Sequence, residues 1–194
     1  GVFVSWVSVL SSFMSARYEL AIVLPDSDDD GMNLLVLTLK IGFMSSLALL
    51  FIFWGWTFFC NLFLGGNKNY DWLWLVVVGA FFVVCYNAFQ LWFNRLARFE
   101  YMSLNRVCQS LVFALMSVVF GLLFVSKGQV FSFIFSYFFA SFLALSRVGD
   151  KKRFYGAVLG KFRTDLAKRY IRHAINVAPS QLIGVFAMQV PIFA

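Results

Sequence analysis

WLWLVVVGAFFVVCYNAFQLWF, residues 72–93, runs for twenty-two residues without an Asp, Glu, Lys, Arg or His. A helix rises about 1.5 Å per residue and a bilayer core is about 30 Å thick, so about 20 such residues cross it. A soluble helix of this length would carry a polar face, and this one is apolar nearly all round. The run therefore predicts a membrane-spanning helix.

The same pattern recurs on both sides. Apolar stretches occupy residues 1–14, 32–64, 107–125, 130–146 and 177–194. The second is over-long for one span, and the fifth of the chain's six stretches, 130–146, is near the lower limit. The whole chain is 61% hydrophobic and 13% charged, with 26 phenylalanines, and its mean hydropathy is +0.81. The expected fold is all-α, a polytopic membrane helix bundle.

Charge orients the bundle. Of sixteen Lys and Arg, thirteen fall in three loops: Arg17; then Arg95, Arg98 and Arg106; then nine between Arg147 and Arg172. Basic loops stay in the cytoplasm, which places 17–31, 94–106 and 147–176 there. Lys68 and Lys127 mark the short outer loops, and Lys40 lies within or at the edge of an apolar stretch. Trp72 and Trp74 at the outer start of their helix, and Trp92 near its inner end, fit interfacial anchors. The net charge of +7 is accounted for by these loops, so no nucleic-acid partner is expected. Cys60, Cys85 and Cys108 are odd in number and lack metal-site spacing, so neither a disulfide framework nor a metal site is expected.

Polar residues in apolar helices are costly and mark packing seams or hydrated cavities. Ser5, Ser8, Ser12, Ser15 and Glu19 share one face of the first predicted helix, spaced by three and four. They line either a cavity, with Glu19 at its mouth as a candidate coupling carboxylate, or a close helix contact in which hydroxyls bond the backbone. Asn87, Gln90 and Asn94 share a face of the 72–93 helix, and Arg98 extends it. Amides contact sugar hydroxyls well and also hold helices together. Asn105 and Gln109 form a similar pair. Ser132, Ser136, Ala140 and Ala144 repeat every four residues as a small-residue packing seam. Lys40 either snorkels to the inner surface or faces an anionic substrate. Residues 149–176 read as a basic amphipathic helix on the cytoplasmic leaflet.

Two motifs fail on inspection. Asp26-Ser27-Asp28-Asp29-Asp30-Gly31 opens like a calcium loop, but the twelfth position is Leu37 where a bidentate Glu is required. The acidic spacing of membrane phosphatidyltransferases would need an Asp at Ser27. No nucleophile–base set is recognisable, so no catalytic residue and no cofactor is assigned, and the chain is not read as an enzyme.

Arg17-Tyr18-Glu19-Leu20-Ala21-Ile22-Val23-Leu24-Pro25, with its acidic patch and Asn33-Leu34-Leu35, resembles the segment after the second helix of bacterial polysaccharide flippases. These are the O-antigen and capsule exporters of the multidrug/oligosaccharidyl-lipid/polysaccharide superfamily. Tyr86-Asn87-Ala88-Phe89-Gln90-Leu91-Trp92-Phe93-Asn94-Arg95 resembles their fourth helix, and Ala178-Pro179-Ser180 with Gln189-Val190-Pro191 the start of their seventh. The chain opens at Gly1 inside an apolar run and closes inside another, so it reads as an internal piece of a longer protein.

The resemblance implies a fragment covering about helices two to seven of a transporter with twelve to fourteen. Residues 1–146 would form the N-terminal bundle, 147–176 the cytoplasmic linker, and 177–194 the start of the second bundle. The implied activity is translocation of undecaprenyl-diphosphate-linked oligosaccharide across the bacterial inner membrane by alternating access. Implied partners are that lipid-linked oligosaccharide, membrane lipids, and polysaccharide polymerase with other export proteins. Arg17 and Lys40 would be the substrate-binding cations, with Asn87, Gln90 and Asn94 as candidate sugar contacts. The competing expectation is cation-coupled efflux of small organic compounds.

Overall fold

Ser27 starts the longest helix: its hydroxyl accepts the Asp30 N–H at 3.2 Å, and Asp28, Asp29 and Asp30 fill the first turn. Hydroxyl cap and acidic first turn together satisfy and neutralise a helix N-terminus. The acidic run is thus a helix start, which gives it a structural role. The computed structural model describes residues 2–15, 18–63, 73–124, 127–149, 151–160 and 184.

Those residues form α1 (Val2–Met14), a 3₁₀ helix (Tyr18–Val23), α2 (Asp28–Phe63), α3 (Leu73–Arg95), α4 (Phe99–Leu123), α5 (Gly128–Ser146) and α6 (Lys151–Leu159). No strand occurs among the described residues. Four of these helices, α2 to α5, are long and apolar enough to cross a membrane. The Arg17 position and the 177–194 stretch lie outside the described residues, as does most of the linker beyond Gly160.

α3 is the axial helix. It packs against α1, α2, α5 and the 3₁₀ helix, and more than half of its apolar span is buried. α4 is the opposite case: it rests on α5 and turns Leu111, Leu115, Val118 and Leu122 outward. An outward apolar face all along a spanning helix suits lipid. One core lies at the charged end, around Ile22, Leu35, Phe89, Trp92 and Phe93. A second lies along the bundle, around Val7, Met14, Val77, Ala80 and Val84.

Several boundaries differ from the sequence expectation. The first helix does not run on to Glu19; it stops at Met14, and Glu19 sits in the separate 3₁₀ helix. Residues 94–106 are not a loop, because α4 already begins at Phe99. The break is a compact reversal in which Arg98 N–H donates to Phe93 O at 2.9 Å and Ala97 N–H to Asn94 O at 3.0 Å. With Ala97 at φ 52°, this is the Schellman pattern that closes a helix with one left-handed residue. Trp92 is not a lipid-interface anchor; it is 4% exposed in the inner core.

The seam on α5 matches its sequence reading. Ser132, Ser136, Ala140 and Ala144 are all fully buried. Ser132 donates to Gly128 O, Gln109 of α4 donates to Ser136 at 3.3 Å, and Ser141 reaches the Phe82 carbonyl of α3. Small side chains let neighbouring helices approach closely enough for such bonds.

Candidate functional site

The charged ends of these elements converge. Arg95, the last residue of α3, points back to the start of α2. Its Nη1 donates to the Ile22 carbonyl of the 3₁₀ helix at 3.0 Å, and its Nε and Nη2 each lie 3.3 Å from Asp28 Oδ1. The guanidinium side chain is only 7% exposed. It fits because position 31 is glycine: a Cβ there would stand 2.6 Å from Arg95 Nε. One arginine therefore ties three elements together. The neighbouring Tyr18 is also buried, and desolvation pushes its phenol above the usual value.

α6 stands beside α2. Arg153 pairs with Asp29 at 3.2 Å, and Lys40 Nζ donates to the carbonyls of Ala157 at 3.5 Å and Gly160 at 3.2 Å. Lys40 lies twelve residues beyond Asp28 in the chain, about 18 Å along the helix. The described part of the linker thus follows α2, where the sequence reading laid it flat on the leaflet. Lys40 supplies donors to the last carbonyls of α6, groups that a helix leaves unsatisfied. The sequence reading did not anticipate this contact of the ammonium with α6.

Between these parts lies a cavity of about 390 Å³ lined by Asp28, Asp29, Met32, Trp92, Leu96, Arg98, Gly149 and Arg153. Gly149 leaves space for Arg98: a Cβ there would sit 3.3 Å from Nη1. Arg98 and Arg147 both hold their guanidinium carbons 5.7 Å from the Tyr101 ring centroid, a distance at which cation and aromatic face attract. The buried Nε1 of Trp92 and Nη1 of Arg147 have no hydrogen-bond partner among the described residues. A buried donor left unpaired costs about 1–3 kcal/mol, and more when charged.

The other sequence candidates disperse along the bundle. Of the amide face on α3, Asn87 is half-buried, Gln90 buried and Asn94 exposed. Neither amide atom of Gln90 has a partner among the described residues, and the same holds for Asn105 on α4. Glu19 and Ser15 are buried. Ser8 and Ser12 bond backbone carbonyls one turn back, Val4 O and Ser8 O, as the close-packing reading expects. Sequence reasoning gave Arg95 and Arg147 no role beyond loop charge, and took Arg98 only as an extension of the amide face of α3. Gly31, set directly after the acidic run, was the available signal for a close approach.

No family model matches this chain, and neither a curated protein nor a solved structure matches it.

Proposed function

We propose that this chain is part of a transporter that moves polyprenyl-diphosphate-linked oligosaccharide across the bacterial inner membrane. The observation that carries the reading is the Arg95 clasp. The two segments that carry the likeness to polysaccharide flippases are Arg17–Pro25 with its acidic patch, and Tyr86–Arg95. Arg95 closes the second segment and bonds Ile22 in the first and Asp28 in the acidic patch. Two motifs far apart in sequence thus act as one structural unit at the inner end of the bundle.

Supporting it further, Gln90 places in the buried face of the axial helix an amide with no partner among the described residues. A buried amide with free donor and acceptor is suited to a hydroxyl-rich ligand. Transport by alternating access asks for such groups inside the bundle and for no bond-breaking residues.

The test is made in the host. The intact gene is deleted, membrane lipids are extracted, and lipid-linked oligosaccharide is measured together with surface polysaccharide. Accumulation of the lipid-linked form with loss of surface polysaccharide is expected, and Gln90→Ala should reproduce part of it. Unchanged levels of both, with new sensitivity to small organic compounds, would move the protein to the efflux class.

A further inference from the structure

We propose that the cavity between α2, the α3–α4 reversal and α6 binds a zwitterionic headgroup carrying a primary ammonium and a phosphate, as phosphatidylethanolamine does. The inference does not depend on what the protein transports. α2 supplies Asp28, Asp29 and Met32 to the lining, the end of α3 and its turn supply Trp92, Leu96 and Arg98, and α6 with the turn before it supplies Gly149 and Arg153. The volume of about 390 Å³ is ordinary for a small-ligand site. Both signs of charge are open to a ligand there. The side chains of Asp28, Asp29 and Arg153 are 65%, 71% and 60% exposed, and Arg98 is exposed as well. Among the described residues each carboxylate is engaged through Oδ1 alone, Asp28 by Arg95 and Asp29 by Arg153. The Arg98 guanidinium lies over the Tyr101 ring, and its side chain donates no hydrogen bond among the described residues.

This mixture of charge selects the ligand. With Arg95 counted, the cluster holds three guanidiniums and two carboxylates. A bare phosphate ion would meet the carboxylates, and a metal ion or simple amine would meet the guanidiniums; like charges in contact are costly. A ligand with both signs meets both demands. Its phosphate oxygens accept from Arg98, in bonds that are charge-assisted and matched to guanidinium geometry. Its ammonium donates to the carboxylate oxygens that the salt bridges leave over. The apolar part of the lining, Met32, Trp92 and Leu96, suits the glycerol and upper acyl region of a lipid. The α3 span ends at Arg95, and Trp92, Leu96 and Arg98 straddle that end, which sets the cavity at headgroup depth.

The test uses the full chain in neutral detergent, with calorimetric binding of short-chain phosphatidylethanolamine, phosphatidylcholine and phosphatidylglycerol, and of free phosphoethanolamine. Phosphatidylethanolamine should bind about tenfold more tightly than phosphatidylcholine, whose ammonium has no N–H, and than phosphatidylglycerol, which has no amine. Arg98→Gln should weaken its binding by about tenfold, while Arg106→Gln, an equal loss of charge outside the cavity lining, should leave it unchanged. Asp29→Asn removes a carboxylate and releases Arg153. It should weaken phosphatidylethanolamine and strengthen phosphatidylglycerol, so that the preference between them collapses. Both substituted side chains are exposed, so the lipid-free unfolding midpoint should hold; if it falls in Arg98→Gln, the lipid preference of Asp29→Asn decides alone. Free phosphoethanolamine binding as tightly as the lipid would keep the site and assign it to a soluble compound. Equal binding of the three lipids by the parent, or a preference that survives Asp29→Asn, would overturn the proposal.

Discussion

The guanidinium of Arg95 occupies the space a side chain at Gly31 would need, with 2.6 Å between Nε and a Cβ built there. Gly31→Ala should therefore push Arg95 off the Ile22 carbonyl and Asp28. Losing charge-assisted bonds at a buried group costs about 1–3 kcal/mol. The thermal midpoint in detergent should fall, and Arg95→Gln should produce a similar fall. Gly55→Ala on the same helix is the control, since nothing lies within 4 Å of its Cβ position. It should hold or raise the midpoint, because alanine is favoured over glycine inside a helix by about 0.5–1 kcal/mol. Equal falls for both glycines would remove the clasp as the cause.

Ala97 carries the positive φ of 52° that reverses the chain between α3 and α4. An L-residue there costs about 1–2 kcal/mol, from which glycine is exempt. Glycine also gains freedom in the unfolded chain, worth about 0.4–1 kcal/mol against folding. Ala97→Gly should thus stabilise the protein by about 0.5–1 kcal/mol, and Ala97→Val should destabilise it. Denaturant titration of the two variants gives the sign of each; destabilisation by glycine would contradict the Schellman geometry.

Lys40 and Asp29 both hold α6, but unequally. The Asp29–Arg153 pair is open to solvent, at 71% and 60% exposure, and exposed pairs contribute about 0–1 kcal/mol. The Lys40 ammonium is half-buried and meets two carbonyls at the α6 C-terminus, where a cation also complements the helix dipole. Lys40→Met should accelerate amide hydrogen exchange across 151–159 by about tenfold, and Asp29→Asn should change it by less than about threefold. Faster exchange in Asp29→Asn than in Lys40→Met would reverse the assignment.

What was legible in the sequence follows from what hydropathy can report. The bounds of α3 and α5 fall within two residues of the apolar runs 72–93 and 130–146, because lipid burial and helix length coincide there. α4 starts at Phe99, eight residues before its apolar run at 107. Its first two turns carry the exposed Glu100 and Arg106, which interrupt the apolar run without interrupting the helix. The Lys40 contacts are invisible to any local pattern, since their partners lie 117 and 120 residues on. The Arg95 clasp depends on an absent side chain at Gly31, a space that exists only once α2 and α3 meet.

The α5 seam gives the most direct test of that reading, because there the sequence period alone specified the contact. Ala140 and Ala144 are 0% exposed, on a helix packed against both α3 and α4. Ala140 has no exposed surface, so three added carbons must displace a neighbour, and overpacking of this kind costs about 1–3 kcal/mol. Ala140→Leu should lower the unfolding midpoint and loosen α5, seen as faster cross-linking of introduced cysteines on its lipid face. Leu122→Ala, at 81% exposure on α4, removes the same number of carbons from a lipid-facing site and should stay within about 0.5 kcal/mol of the parent. The contrast matters more than either value. If the two substitutions cost the same, the four-residue period marks only composition, and α5 does not pack along its serines and alanines.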